Sequence, residues 1–265
     1  MRKISTLMVS VLCMMMPVGA EAQVPTAFVS KGATDIQAQP HSVTQTNSGA
    51  QLAAIDPMVR SITMDDGLPS NAVRSVVQGS KGYMWFGTDN GLCRFDGYDV
   101  KTYYNPFTTV DQFVSALTAC EEGLLVGCNN GAYLFCNATD RFQKLSDKIT
   151  APVLNFSLDG DQNVWISTNG QGVFRYNRTT HELHQYPMKN IQGKVKSTLV
   201  DANNQVWMLC NHGEASIYHL NKSTDQFEAF PLKGDATMFH GMAMLATPDG
   251  NVYVGTWENG LYKLN

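Results

Sequence analysis

The chain has 265 residues, a formal net charge of −4 and 43% hydrophobic residues. No basic patch accompanies that balance, which excludes nucleic-acid binding as a leading role. The length is ample for one folded core, and after the first residues no apolar stretch reaches the ~20 residues of a bilayer span.

Met1-Arg2-Lys3 is a short basic opening, Ile4 to Val18 is apolar and uncharged, and Ala20-Glu21-Ala22 supplies a small-x-small site. Residues 1–22 therefore read as a secretory signal peptide cut after Ala22, and the mature protein as exported. The alternative is an uncleaved anchor, for which the run is short. Cys13 does not mark a lipoprotein, because Leu12 stands where a small residue is needed. Residues 23–57 are rich in Ala, Gln, Ser, Thr and Val with scattered Pro. Such composition buries too little apolar surface to offset chain entropy, so it predicts a flexible leader. An arm that orders on a partner is the second reading.

Met58 to Met64 alternates and predicts a strand. From there one sentence recurs five times. Its strand cores are Met84–Thr88, Leu124–Cys128, Val164–Thr168, Val206–Cys210 and Val252–Thr256. The central positions 85, 125, 165, 207 and 253 lie 40, 40, 42 and 46 residues apart. Each core is followed by a glycine turn and then by a strand carrying an aromatic residue (Phe95, Phe135, Phe174, Tyr218, Tyr262). A period near 40 with four short strands per unit predicts an all-β fold, a β-propeller of four-stranded antiparallel blades. The blades fall at about 73–104, 113–145, 153–187, 195–231 and 240–264. Trp85, Trp165 and Trp207 recur at the centre of strand b, where they predict core wedges between blades.

Cys93, Cys120, Cys128, Cys136 and Cys210 are an odd set without C-x-x-C spacing, read as structural thiols, with one disulfide as the alternative. Asp159-Gly-Asp-Gln-Asn163 opens like a calcium loop, but Val164 and Gly170 stand where that loop needs glycine and glutamate, so an a–b hairpin turn is predicted. His181 and His184 point to opposite faces of a c–d connection, and His212, His219 and His240 are single. There is no G-x-S-x-G elbow, no P-loop and no dinucleotide fingerprint. Asp89, Asp99, Asp111, Asp201 and Glu258 are scattered rather than paired as a glycosidase requires. No catalytic residue, metal site or cofactor is expected, and a propeller hydrolase or lyase would need a carboxylate or His cluster on one channel face.

The first copy carries a resemblance. Leu68-Pro-Ser-Asn71, Gly82-Tyr-Met-Trp-Phe-Gly-Thr-Asp-Asn-Gly-Leu92 and Arg94-Phe-Asp-Gly-Tyr98 resemble the two-component regulator propeller repeat. The third and fifth copies fit well, the second and fourth less so, over roughly Met58 to Asn265. The resemblance implies the periplasmic sensor region of a hybrid two-component histidine kinase, whose parent sits in the inner membrane. It implies an extracytoplasmic ligand such as an oligosaccharide, and a signal passed by a shift between subunit arrangements, with a homodimer as partner state. The kinase and receiver modules of that family are not in this sequence, so the chain itself is not expected to be an enzyme. In the family a segment like Met58–Met64 is the ring-closing d strand. It either completes a five-bladed ring here or belongs to a piece of a seven-bladed one. The alternative function is a stand-alone secreted binding or scaffold propeller.

The b–c turns and d–a connections of a propeller emerge on one face around its channel, and loops there carry function. On that face fall Asp89 and Asn90, Asn129 and Asn130, Asn169 and Gln171, Asn211 and His212, and Trp257 with Glu258. Amides beside an indole suit hydrogen bonding and stacking against a sugar. The ligand candidates are Asn90, Asn130, Asn169, Gln171, His212, Trp257 and Glu258. Asn and Asp also suit such turns by backbone preference alone.

Overall fold

Short runs of β-branched and aromatic residues, broken by glycine and Asx turns, build five antiparallel sheets. A computed structural model describes residues 60–108, 110–188, 194–211, 216–231 and 241–264. The signal peptide, the leader, His212 and His240 lie outside those residues. The chain divides into a unit containing Ile62 onward and a second unit, Met14–Ser61, described only at Arg60 and Ser61.

Blade one comprises β1 (Val73–Gln78), β2 (Met84–Thr88), β3 (Gly91–Phe95) and β4 (Val100–Tyr103). Blade two comprises β5 (Val114–Ala119), β6 (Gly123–Cys128), β7 (Gly131–Cys136) and β8 (Arg141–Lys144). Blade three comprises β9 (Val153–Leu158), β10 (Asn163–Thr168), β11 (Gly172–Asn177) and β12 (Leu183–Tyr186). Blade four comprises β13 (Lys194–Val200), β14 (Val206–Asn211), β15 (Ile217–Asn221) and β16 (Gln226–Ala229). Blade five has three described strands, β17 (Gly241–Ala246), β18 (Val252–Thr256) and β19 (Leu261–Leu264). Each pairs in sequence order, the signature of a propeller blade.

The expected strand at Met58–Met64 differs. Residues 58 and 59 lie outside the described part, Arg60 to Thr63 join no strand, and Met64–Asp66 is a 3-10 turn. The reason is a capping box. Thr63 Oγ1 accepts from Asp65 N at 3.3 Å, and Asp66 Oδ2 accepts from Thr63 N at 2.8 Å. These local bonds override an alternation of only a few residues.

Apolar faces join the blades pairwise. Trp85 and Tyr103 of blade one pack with Val114, Val126 and Phe135 of blade two. Leu125 of blade two packs with Val153 and Phe156 of blade three. Trp165 and Tyr186 then meet Val195 and Met208 of blade four, and Trp207 and Ile217 meet Val252 and Val254 of blade five. All three tryptophans are buried wedges, as expected. Two of them are also tied to their own a–b turn. Asp159 accepts from the Trp165 indole N–H at 2.8 Å, and Asp201 from that of Trp207 at 2.8 Å. Asp159 also accepts from Asp161 N and Asn163 N, which makes the calcium-like segment a hairpin turn.

A polar lock accompanies alternate blade contacts. Asp225, in the c–d turn of blade four, accepts from Arg175 at 2.9 and 3.2 Å and from the Tyr186 hydroxyl at 2.7 Å, both of blade three. Asp140, in the same place of blade two, accepts from Lys101 at 2.9 Å and Tyr103 at 3.1 Å. Between blades two and three, Leu134 and Leu145 take the positions of Arg175 and Tyr186 and pack on the apolar cluster. The Lys101 ammonium and Tyr103 hydroxyl hold the Asp140 carboxyl below its ordinary range against its partial burial. Burial pushes Asp225 up, but Tyr186 and Arg175 outweigh it and the net shift is downward. A carboxylate depressed in the folded state stabilises above its unfolded pKa, about 4, and loses that contribution as pH falls through the depressed value. The unfolding midpoint is therefore flat from about pH 7 to 5 and falls below about 4. Asp225→Asn is expected to lower the plateau and flatten the acid fall, measured by urea unfolding across pH.

All five described cysteines are free thiols. Burial pushes Cys120 up to about 11, and Cys128 and Cys210 up to about 12. Cys93 is likewise raised by burial, whereas the Thr139 hydroxyl lowers Cys136. Since the thiolate is the reactive form, native-state alkylation is expected to label Cys136 first and the other four only on unfolding. Peptide mass spectrometry after timed iodoacetamide treatment reads that order.

Candidate functional site: the rim of blades one and two

In all five blades one residue near the start of the inner strand is skipped in its pairing with strand b. Such a bulge turns its extra side chain out of the pleat. In blade one that residue is Arg74. Its guanidinium grips Asp89 of the b–c turn at 2.5 and 2.8 Å, and lies 5.5 Å from the centre of the Phe113 ring. This ion pair fixes the b–c turn of blade one against the connection to blade two.

That connection, residues 104–108 and 110–113, is bolted from within. Gln112 Oε1 accepts from Asn105 N at 2.6 Å, and its Nε2 donates to Thr108 O at 2.8 Å. Asn105 Oδ1 accepts from Phe107 N at 3.0 Å, and Asp111 Oδ1 from Phe113 N at 2.9 Å. Asp111 also accepts from Asn129 Nδ2 at 2.7 Å, which ties the loop to the b–c turn of blade two. On this frame Tyr104, Phe107 and Val110 are exposed. Phe107 is held in place by stacking on buried Tyr133, with ring centres 5.5 Å apart and planes 25° apart. Apolar side chains presented to solvent on a loop tied down by side-chain hydrogen bonds make this rim the candidate site. The neighbouring b–c turns carry exposed Asn90, Asp89 held by Arg74, and Asn129 bonded to Asp111. The combination offers aromatic faces for stacking and fixed hydrogen-bonding groups beside them.

The sequence candidates occupy one turn per blade rather than one cluster. Asn90 is exposed at the rim of blade one, beside this loop. Asn130 turns inward, with Oδ1 buried next to the Tyr133 hydroxyl. Asn169 is exposed on blade three, its N–H spent on Pro152 O at 2.8 Å. Gln171 is a staple. It accepts from Thr150 N and Ala151 N at 2.9 and 2.8 Å and donates to Lys148 O at 3.1 Å. It does for the blade two to three connection what Gln112 does one blade earlier. Trp257, 55% exposed, and Glu258 stand together on the b–c turn of blade five. His212 lies outside the described residues. Sequence reading missed Tyr104, Phe107 and Val110. The available signal was a connection longer than a tight link and carrying three aromatics, Tyr104, Phe107 and Phe113.

The opposite rim has a groove of about 200 Å³ between blades three and four, lined by Asp159, Asn163, Trp165, Arg175, Asn204 and Asp225. Its charges are largely engaged with each other, through the Arg175–Asp225 pair and the Asp159–Trp165 bond. Among the described residues no group of three or more His, Cys, Asp or Glu has metal-binding geometry, and no helix is long and apolar enough to cross a membrane.

A family model described as two component regulator propeller matches residues 67–90, the end of the capped turn through the b–c turn of blade one. Blade one therefore carries a two-component regulator propeller repeat. Solved structures place the same fold alongside it. A domain described as the extracellular part of a hybrid two-component system of Bacteroides thetaiotaomicron is 20% identical, with a TM-score of 0.63 over 74% of this chain and 27% of that one. A second such domain from that organism is 18% identical, with a TM-score of 0.64 over 78% and 30%. A catalytically inactive virginiamycin B lyase of Staphylococcus aureus, solved with quinupristin, is 15% identical, with a TM-score of 0.63 over 75% and 69%. The chain thus spans about a third or less of the length of these two extracellular domains. At these identities the likeness is one of fold. No curated protein matches the sequence.

Proposed function

We propose that this chain is the extracytoplasmic, ligand-binding part of a two-component sensor, and that it binds an oligosaccharide on the rim of blades one and two. The observation that carries the reading is the bolted loop presenting Tyr104 and Phe107 to solvent beside Asn90 and Asn129. Flat aromatic rings stack on the C–H faces of sugars, while amides and carboxylates take the hydroxyls. A loop ordered before binding loses little entropy when the ligand arrives. The repeat and the sensor domains of similar fold support the sensor part of the reading. Binding would pass a signal only through a difference in affinity between two arrangements of the sensor.

The test is a glycan array probed with the exported chain, followed by titration of the oligosaccharide retained best. Tyr104→Ala together with Phe107→Ala is expected to weaken that binding at least tenfold, about 1.4 kcal/mol. Folding should change little at the exposed Tyr104 and by the loss of one stacking contact at Phe107. Equal affinity in the double variant, or no retained glycan, contradicts the proposal.

A further inference from the structure

Blades one, three and four share an a–b turn and a tryptophan. Gly79 N donates to Tyr83 O at 2.9 Å, as Asp159 N does to Asn163 O at 3.1 Å and Asp201 N to Gln205 O at 3.0 Å. Each of these turns leads to a wedge at the same spacing, Trp85, Trp165 or Trp207. In blades three and four the aspartate carboxylate accepts from the indole N–H at 2.8 Å. Blade one has glycine in that place. A Cβ built on Gly79 would stand 2.7 Å from Trp85 Nε1, so no side chain at 79 fits there to supply an acceptor. Trp85 is 3% exposed, and its indole N–H has no acceptor among the described residues.

The guanidinium beside this wedge is unmatched as well. Arg94 pairs in register with Trp85, as Arg175 does with Trp165. Arg175 is held by Asp225 of the next blade at 2.9 and 3.2 Å. In the seam of blades one and two the corresponding aspartate, Asp140, is taken by Lys101 and Tyr103 instead. Arg94 is half-buried, lies 4.6 Å from the centre of the Tyr83 ring, and makes no ion pair or hydrogen bond among the described residues. The other carboxylate near it, Asp96, accepts from Tyr98 N and Asp99 N, both at 2.9 Å. Trp85 and Arg94 line one groove, with Lys81 and Asn137 beside them. Its charges are Lys81 and Arg94 against Asp140, whereas the groove between blades three and four carries Asp159, Asp161 and Asp225 against Arg175 and Lys222. At about 20 Å³ it exceeds the roughly 10–15 Å³ that one water needs and is far too small for a whole sugar ring.

We infer that this groove, on the rim opposite the ligand platform, binds the carboxylate of an acidic ligand, with the Arg94 guanidinium as its main partner and the Trp85 indole N–H as a further donor. The ligand class follows from the repeat itself. In blade three the same two donors are satisfied by carboxylates, Asp159 on the indole and Asp225 on the guanidinium. A guanidinium anchored over an aromatic ring keeps its rigid N–H fork for an oxyanion, and two carboxylate oxygens match that fork. The carboxylate enters end-on and the rest of the ligand stays in solvent. A small organic acid and an acidic sugar both carry the required group.

Tryptophan indole signals in proton–nitrogen correlation spectra of the full chain test this. Sodium acetate and sodium glucuronate are titrated at constant ionic strength, with glucose and inorganic phosphate as comparisons. Trp85→Phe identifies the Trp85 signal, and calorimetry gives the affinities without that assignment. Both carboxylates are expected to shift the Trp85 signal to saturation, while those of Trp165 and Trp207, already capped by aspartates, stay in place. Glucose should move none of them. Arg94→Gln should weaken binding at least tenfold, and Arg94→Lys, which keeps the charge without the fork, should weaken it less. Lys222→Gln, in the other groove, should leave it unchanged. Equal affinity for the two acids would make the carboxylate group alone the ligand, and tighter glucuronate would make it an acidic sugar. A Trp85 signal that ignores both acids overturns the proposal. So does glucose moving it equally, phosphate binding more tightly than either acid, or an Arg94→Gln protein that titrates like wild type.

Discussion

Trp165→Ala is expected to lower the unfolding free energy by about 3–5 kcal/mol, among the largest losses a single truncation gives. The ring is 1% exposed and fills the seam between blades three and four against Tyr186, Phe227 and Met208. Removing it leaves a cavity bounded by two sheets that are fixed by their own ladders and relax little. It also deprives Asp159 of the indole N–H and leaves Arg175, 5.7 Å from the ring centre, without its aromatic surface. Trp257→Ala is the control. That side chain is more than half exposed, and its loss should stay within about 0.5 kcal/mol. Urea unfolding of both variants measures the contrast. Equal losses would mean that the wedge is not what joins the blades.

The second large effect comes from adding atoms. Gly127→Val is expected to cost about 1–3 kcal/mol or more, because the new Cβ would stand 2.8 and 2.9 Å from Cγ1 and Cβ of Val153 and 3.2 Å from Ala116. Those neighbours belong to two inner strands, and neither is a flexible tip that could swing away. The same change at Gly255 meets no atom within 4 Å among the described residues. Its monomer stability should be close to wild type, even though the two glycines hold the same place in the repeat. Thermal unfolding at low protein concentration separates the two. A Gly127→Val protein as stable as wild type would contradict the packing of blade two on blade three.

These two substitutions show which part of the architecture was legible in the residues alone. The period near 40, the strand cores and the role of Trp85, Trp165 and Trp207 follow from hydrophobic pattern and turn chemistry, which are local. The cysteines were legible for the same reason, since Cys128 and Cys210 take the places on strand b that Thr88 and Thr168 take in other blades. Met64 was misread because a capping box of four residues decides the backbone there, and alternation over a handful of positions is weak evidence beside it. The blade locks were not legible. Arg175 and Asp225 are fifty positions apart, and only the register of two sheets brings them together.

The candidate site divides along the same line. Asn90 and Trp257 stand exposed on the face where propeller topology puts b–c turns. Gln171 and Asn130 share that face, yet one is consumed as a loop staple and the other is turned inward. Residue type does not reveal which amide is spent on the backbone. Tyr104 and Phe107 went unnoticed because aromatic residues near a strand end are ordinarily core. Only the three-dimensional course of the connection shows that these rings point to water.

Backbone hydrogen exchange of the chain with and without the oligosaccharide retained best on the array tests the ligand platform most directly. Exchange is expected to slow on binding in residues 104–113 and in the turn at Asp89–Gly91, with the opposite rim around Asp159 and Asp225 unchanged. Protection confined to the groove between blades three and four, or to the turn of Trp257 and Glu258, would contradict it.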